Sequence, residues 1–421
     1  MRAEAVRLSV SISPITSLEA FRAALGAYRF PRVILTALEL KLFTVMGRKT
    51  WSIPKLALAL SVSTRGLEIL CRNLAAGGLL EKRGGAYRAT SFGATVLNAA
   101  HPQYRGAYLE LLTSHWEDWS HLTQTVRSGR PLDGDEPDTP ASRRRFTWAM
   151  HDRSFDVASR IAAQIDLQKA RTLLDLGGGP GTYAMAFLAR NPYLTATVCD
   201  RAAALAVARR IAKRLNARKR LSYLALNFMK DVLPGQYDVV WYSNVLHIYS
   251  AEENRALFRR VHAALVPGGR LIIQDAFLQD PQGLYPQEVS LFAVSMLLFT
   301  ERGNTYSRRE TVEWLREAGF VKIRPMRAKK GSEDWDGGLL EAVRSVERCV
   351  TPAEDHDEEI QKTTSCREKD DRCARGGLTD FLNNGGQIQG QSNRAVHHGC
   401  HYDPMFSDYD ESAYQQGRDP E

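Results

Sequence analysis

The segment Leu173-Leu174-Asp175-Leu176-Gly177-Gly178-Gly179-Pro180-Gly181-Thr182 constrains this chain more than any other. A short apolar run of strand character breaks into glycines, and Tyr183 to Arg190 then reads as helix. Glycine lacks a Cβ, so a ligand can approach the backbone closely there. The helix that follows offers unpaired N–H groups to an anion. A second β-type run, Thr195 to Cys199, ends at Asp200. A carboxylate in that place can accept hydrogen bonds from both hydroxyls of a ribose. The dinucleotide fingerprint requires glycine at the sixth position counted from Gly177, and Thr182 stands there. The dinucleotide fingerprint therefore fits poorly, and a purely structural turn without ligand is the plain alternative.

The rest of the chain divides by texture. Residues 17–100 read as a small helical unit ending in a hairpin. Ile34, Leu35, Ala37, Leu38, Leu40, Leu42 and Phe43 have helical spacing, Trp51 to Leu60 predicts a second helix, and Thr64 to Gly77 a third. Leu79-Leu80-Glu81-Lys82 and Tyr87-Arg88-Ala89-Thr90 flank Gly84-Gly85 as two strands around a turn. Helices followed by such a hairpin describe a winged helix. Residues 101–165 read as a helical linker, with helix from Leu109 to Val126, a loop from Gly129 to Pro140, and helix from Phe146 to Ile165. In residues 166–346, five β-type runs alternate with helical patterns. Two more strands are expected near Val321–Pro325 and Leu339–Val343. An α/β fold with a mostly parallel sheet covered on both faces follows.

Composition bears on the ends. From Thr351 onward, 15 acidic residues face 7 basic ones, and seven of 71 residues are Leu, Ile, Val or Phe. That is too little apolar surface to offset chain entropy, so residues 351–421 are expected to be disordered. The cluster His397-His398-Gly399-Cys400-His401 lacks a second ligand pair at finger spacing, so no metal is expected. The first 350 residues carry a net charge of +16. Such a body suits nucleic acid, or attraction for an anionic or phenolate ligand. No apolar run is long enough for a membrane helix, and the six cysteines show no framework spacing. A cytoplasmic chain with reduced thiols is expected, without membrane or nucleic-acid partners.

Gly-x-Gly-x-Gly with an acid closing the second strand resembles motif I of the class I S-adenosylmethionine-dependent methyltransferases. Gln236 to His247 resembles their fourth strand and its loop, and Ala264 to Ile273 their helix, Pro-Gly-Gly turn and fifth strand. Asn244-Val245-Leu246-His247, Met296-Leu297, and Tyr306-Ser307 followed by Glu310, Trp314 and Ala318-Gly319-Phe320 look like the two-domain O-methyltransferases of the caffeate and acetylserotonin type, including their bacterial small-molecule branch. Thr36-Ala37-Leu38-Glu39-Leu40 resembles their dimerisation domain. The resemblance implies a Rossmann-like seven-stranded methyltransferase sheet, an N-terminal winged-helix domain that forms a homodimer, S-adenosylmethionine as cofactor, and a small aromatic or polyketide-like acceptor.

The resemblance also assigns residues. His247 matches the general base and Asp275 a carboxylate that orients it. Imidazole suits the removal of a proton from a phenol, whose pKa near 10 makes it a poor nucleophile at neutral pH. Gly177, Gly179, Gly181 and Asp200, with Asn227, Phe228, Ser243 and Ser154, match cofactor-binding positions. Phe146, Met150 and Met296 match positions that clamp a flat ring, and Phe292 and Phe299 are expected beside them. The chain departs from the family pattern in five places, one of them Asp275, where glutamate is usual in the plant enzymes. Thr305 replaces a second carboxylate, Asn227 an aspartate, Ile248 a frequent aspartate, and Ser243 a lysine that often contacts cofactor. Methyl transfer to carbon or nitrogen, cofactor binding without catalysis, and DNA binding through the helix Thr64 to Gly77 stay open as alternatives.

Overall fold

The β-type runs after Arg171 assemble into one seven-stranded sheet in the computed structural model, which describes residues 14–131, 139–326 and 338–346. Its strands are β1 (Thr172–Leu176), β2 (Thr195–Asp200), β3 (Leu221–Ala225), β4 (Tyr237–Ser243), β5 (Leu265–Asp275), β6 (Phe320–Met326) and β7 (Gly338–Arg344). Their spatial order is β6-β7-β5-β4-β1-β2-β3. The pairs from β3 to β5 are parallel, and β7 runs antiparallel to both β5 and β6.

Alternation along each strand explains why the runs are nearly all apolar. Leu174, Leu176, Val240, Tyr242, Leu271 and Ile273 face one core, with Phe258 and Trp314. Leu173, Ala196, Val198, Val239, Trp241 and Ile272 face another, with Phe187 and Ala158. A period of two with both faces covered demands apolar residues at every step. At the antiparallel edge, the buried Glu341 of β7 accepts from Arg270 Nε of β5 at 2.6 Å and Arg324 Nε of β6 at 2.7 Å. The carboxylate ties three strands together.

The N-terminal segment folds as helices Leu18–Gly26, Arg29–Glu39, Leu42–Met46, Ile53–Leu60 and Thr64–Ala76, followed by the hairpin Leu80–Arg83 and Ala86–Ala89. Three local expectations need correction. Trp51 is not helical: Thr50–Ser52 pairs with the hairpin as a third strand, Trp51 lies opposite Tyr87, and the helix starts at Ile53 with Pro54 in its first turn. The helix expected from Leu109 to Val126 is two, Gly106–Ser120 and Leu122–Ser128, divided at His121. The Pro-Gly-Gly turn lies inside β5, because Tyr237 pairs with Leu265 and Val239 with Arg270. Residues 266–269 therefore bulge out opposite Asp238, with Gly268 at φ +79°. The long helix Pro140–Ala162 connects the two regions. No helix among the described residues is long and apolar enough to cross a membrane. Residues 351–421, the His397–His401 cluster included, lie outside the described residues.

Candidate active site

The order β3-β2-β1-β4-β5 reverses between β1 and β4, and the crevice outside the C-terminal ends of such strands is where ligands bind in open α/β sheets. The glycine turn lies there. Gly177 and Gly178 donate N–H bonds to Cys199 O at 2.9 and 3.3 Å, which carries the chain across the end of β2. Gly177, Gly179 and Gly181 have φ of +68°, +49° and +68°, a region that L side chains rarely adopt. Their surroundings differ. A Cβ on Gly177 would stand 2.8 Å from Val245 Cγ2, and one on Gly178 2.5 Å from the Asp175 carboxyl carbon. A Cβ on Gly179 would meet only Asp200 Oδ2, at 4.0 Å. Gly179 therefore faces the open side of the turn.

Two carboxyl groups brace this loop. Asp200 Oδ2 accepts from Gly179 N at 2.8 Å and Oδ1 from Arg201 N at 2.6 Å. Each oxygen keeps a further acceptor site, which suits a pair of ribose hydroxyls. Burial raises its pKa, against the backbone bonds from Arg201 and Gly179. Asp175, buried beneath the turn, accepts from Ala184 N at 3.3 Å, and burial pushes its pKa up to about 7. Phe228 is buried next to Gly177 and stands edge-on to Tyr249, their centroids 6.1 Å apart. Asn227 is exposed, and its Oδ1 accepts from Met229 N at 3.1 Å, so the side chain is held by its own backbone. The Ser243 hydroxyl bonds Gln274 Oε1 at 3.1 Å. Ser154 is buried on the Pro140–Ala162 helix. An open glycine cradle, free acceptor capacity on Asp200 and a buried ring at Phe228 together fit an adenosine-type group.

The register of β4 and β5 explains the next feature. Ser243 pairs with Gln274, so the residues just beyond both strands are neighbours. Asn244, at φ +55°, turns the chain, and the short helix Leu246–Ile248 brings His247 back over Asp275. His247 Nδ1 and Asp275 Oδ1 are 2.8 Å apart, with the two residues 8% and 1% exposed. Asp275 also accepts from Leu246 N at 3.1 Å and Ala276 N at 2.8 Å. A carboxylate with two backbone donors acts as an acceptor toward the imidazole. Nδ1 then carries the proton, and Nε2 is left with a lone pair. Val245, two residues before His247, touches the Gly177 turn. The imidazole and the glycine cradle are thus parts of one site.

On the far side of His247 lies the helix Gln287–Phe299, whose Phe292 ring meets the imidazole edge-on at 4.8 Å. A cleft of about 190 Å³ opens there, lined by residues that include Trp119, Ala276, Glu288, Leu291, Phe292 and Ser295. Of the five expected acceptor residues, Phe292 is in this wall. Met296 is buried one turn further on, and Phe299 stacks on His115 at 4.7 Å. Phe146 is 49% exposed and Met150 partly buried, both on the Pro140–Ala162 helix outside the lining. Thr305 is buried with its N–H bonded to Asn304 Oδ1, so no second carboxylate supports the imidazole from that position.

Trp119, Glu288 and His151 escaped sequence reasoning. His151 Nδ1 is 2.8 Å from the hydroxyl of Thr182, the first residue of the helix after the glycine turn. Burial, with Arg105 and Arg214 nearby, lowers its pKa to about 4. No sequence signal singled out these residues: Glu288 and His151 share helices with expected site positions, but which turn and face of each helix meets the site is set by packing.

Residues 119–321 match the O-methyltransferase domain family, and residues 23–99 the O-methyltransferase dimerisation domain. A 3-hydroxy-5-methyl-1-naphthoate 3-O-methyltransferase from Streptomyces sahachiroi is 29% identical over 306 residues, covering 70% of this chain and 87% of the relative. A tetracenomycin polyketide synthesis 8-O-methyl transferase from Streptomyces glaucescens is 29% identical over 307 residues, covering 71% and 90%. A solved O-methyltransferase family protein from Burkholderia thailandensis superposes with a TM-score of 0.71 at 25% identity, over 79% of this chain and all of that one.

Proposed function

The chain belongs to the two-domain S-adenosylmethionine-dependent O-methyltransferases, and on that premise we propose that it methylates a hydroxyl of a small aromatic or polyketide-like acceptor with His247 as general base. The observation that carries this reading is the 2.8 Å contact of His247 Nδ1 with buried Asp275, beside a glycine cradle on one side and an aromatic cleft on the other. When bound, the cofactor supplies an electrophilic methyl group on a sulfonium.

The chain's own residues supply the rest. Gly179 and Asp200 hold the nucleoside end, with Phe228 beside it. Asp275 fixes the imidazole tautomer, so Nε2 accepts the hydroxyl proton as the acceptor oxygen becomes a nucleophile. Asp275 then stabilises the imidazolium that results. Phe292 and Trp119 orient the acceptor ring and exclude water from His247, and holding the two reactants in line lowers the barrier further. The names of the naphthoate and tetracenomycin relatives support a fused or phenolic acceptor.

The dimerisation-domain match supports a homodimer through the N-terminal region. Leu18, Phe21 and Leu25 agree, since they lie exposed on a helix with no buried residue.

The test is His247→Ala. Turnover of a phenolic acceptor is expected to fall by about 10²–10⁴-fold, while titration with S-adenosylhomocysteine gives an unchanged Kd. Equal turnover would remove the general-base assignment.

A further inference from the structure

We infer that the acceptor cleft selects for a positively charged group, so that the preferred acceptor is an aromatic hydroxyl compound carrying a protonated amine rather than a carboxylate. The inference rests on the reading that the acceptor hydroxyl sits at His247. Its evidence is the chemistry of the opposite wall. Glu288 lines the cleft with Trp119, Leu291 and Phe292; among the described lining residues there is no Lys or Arg, and His247 stands behind the Phe292 ring, 4.8 Å away. Glu288 makes no hydrogen bond or ion pair with any other described residue. Its charge is therefore not spent on a partner across the cleft.

Geometry sets where a cation would lie. Glu288 and Phe292 are four residues apart on the helix Gln287–Phe299, hence on one face and separated by ~6 Å along its axis. Phe292 touches His247. A ring lying against Phe292 with its hydroxyl at His247 would extend its other end toward Glu288. Trp119, on the Gly106–Ser120 helix, provides an indole wall there. An aromatic face beside an unpaired carboxylate attracts an ammonium group through both the ring quadrupole and the charge. A cavity of ~150 Å³ can hold benzene, so the space of about 190 Å³, which is open on one side, takes one ring of a fused acceptor and leaves the rest of it at the mouth. The placement of Glu288 in the first turn of its helix also agrees with the helix dipole, which favours a carboxylate at the N-terminus. That role involves no ligand and would not distinguish ligands by charge.

Isothermal titration in the presence of S-adenosylhomocysteine would use three probes: a naphthol bearing an aminomethyl group, the same naphthol bearing a carboxylate, and the unsubstituted naphthol. The wild-type protein should bind the ammonium compound ~10-fold more tightly than the carboxylate, the size of effect that one ion pair with a cation–π contact provides. In Glu288→Gln the two should differ by less than ~2-fold, with the S-adenosylhomocysteine Kd showing that the variant is folded. Glu288→Asp should keep the sign of the preference, and Trp119→Leu should weaken it. A tighter carboxylate in the wild type, a preference unchanged in Glu288→Gln, or no binding of any naphthol would overturn the inference. Labelled methyl transfer to the same three compounds separates the two readings. Charge preference without transfer defeats the O-methylation reading and leaves the cation site standing; transfer without charge preference does the reverse.

Discussion

Replacing Asp275 with asparagine keeps the shape of the residue and removes the property on which its position depends. The carboxylate accepts from His247 Nδ1, Leu246 N and Ala276 N, and is 1% exposed. Asparagine has one carbonyl oxygen and an amide that only donates. Oδ1 of Asp275 faces both Ala276 N and the imidazole, whereas Oδ2 faces Leu246 N. If the amide nitrogen faces the imidazole, His247 must switch tautomers and Nε2 loses its lone pair. If it faces Leu246, two donors confront each other in a buried site, which costs ~1–3 kcal/mol. An equivalent change in a Ser-His-Asp triad lowers kcat by ~10⁴ through the wrong tautomer. Methyl transfer to an acceptor that must lose a proton in the reaction has less to lose, so a fall of ~10²–10⁴ is expected. Radiolabel transfer to a naphthol measures it directly. The loss should shrink with a nitrophenol, which is already ionised and needs no base. Turnover within two-fold of wild type, or an equal loss for both acceptors, would refute this role for Asp275.

Three further outcomes follow from the geometry. Asp200→Ala removes the acceptor for Gly179 N and Arg201 N, and should weaken S-adenosylhomocysteine binding by ~10–100-fold in a calorimetric titration. Gly177→Ala places a Cβ 2.8 Å from Val245 at φ +68°, and should cost at least ~1–2 kcal/mol, visible as a lower Tm and weaker cofactor binding. Asp175 is a carboxyl whose native pKa, about 7, lies above its ordinary 3.8. The native state therefore holds a proton that the unfolded chain has released, and stability falls as pH rises from ~4 to ~7 and levels off beyond. The gap is worth up to ~4 kcal/mol. Asp175→Asn should remove that portion of the pH dependence of chemical denaturation, and an identical profile would contradict it.

How much of this was legible in the sequence depended on distance along the chain. The glycine turn, Asp200 and the strand texture are local signals, and each strand from β1 to β7 lies where an apolar run was expected. His247 beside Asp275 was expected from the family resemblance alone; the physical reason is that β4 and β5 are parallel neighbours, so residues just past their ends meet. Trp51 was misread because an apolar residue next to a helix start looks the same whether it begins the helix or pairs with Tyr87. The break at His121 carries no glycine or proline and so left no mark. Trp119 and Glu288 reach the cleft from separate helices, and their meeting is a matter of packing that no spacing rule encodes. Of the expected acceptor residues, Phe292, which was not among the positions matched by resemblance, lies against His247, while the matched Phe146 and Met150 lie on the Pro140–Ala162 helix.

The most direct measurement is to incubate purified protein with an aminomethyl naphthol and S-adenosylmethionine carrying carbon-13 in its methyl group, and to read the product by carbon NMR. A labelled carbon in the methoxy region, absent with His247→Ala, is the predicted result. Label on a ring carbon or on nitrogen, or an equal methoxy signal from the variant, would contradict transfer to oxygen assisted by this imidazole.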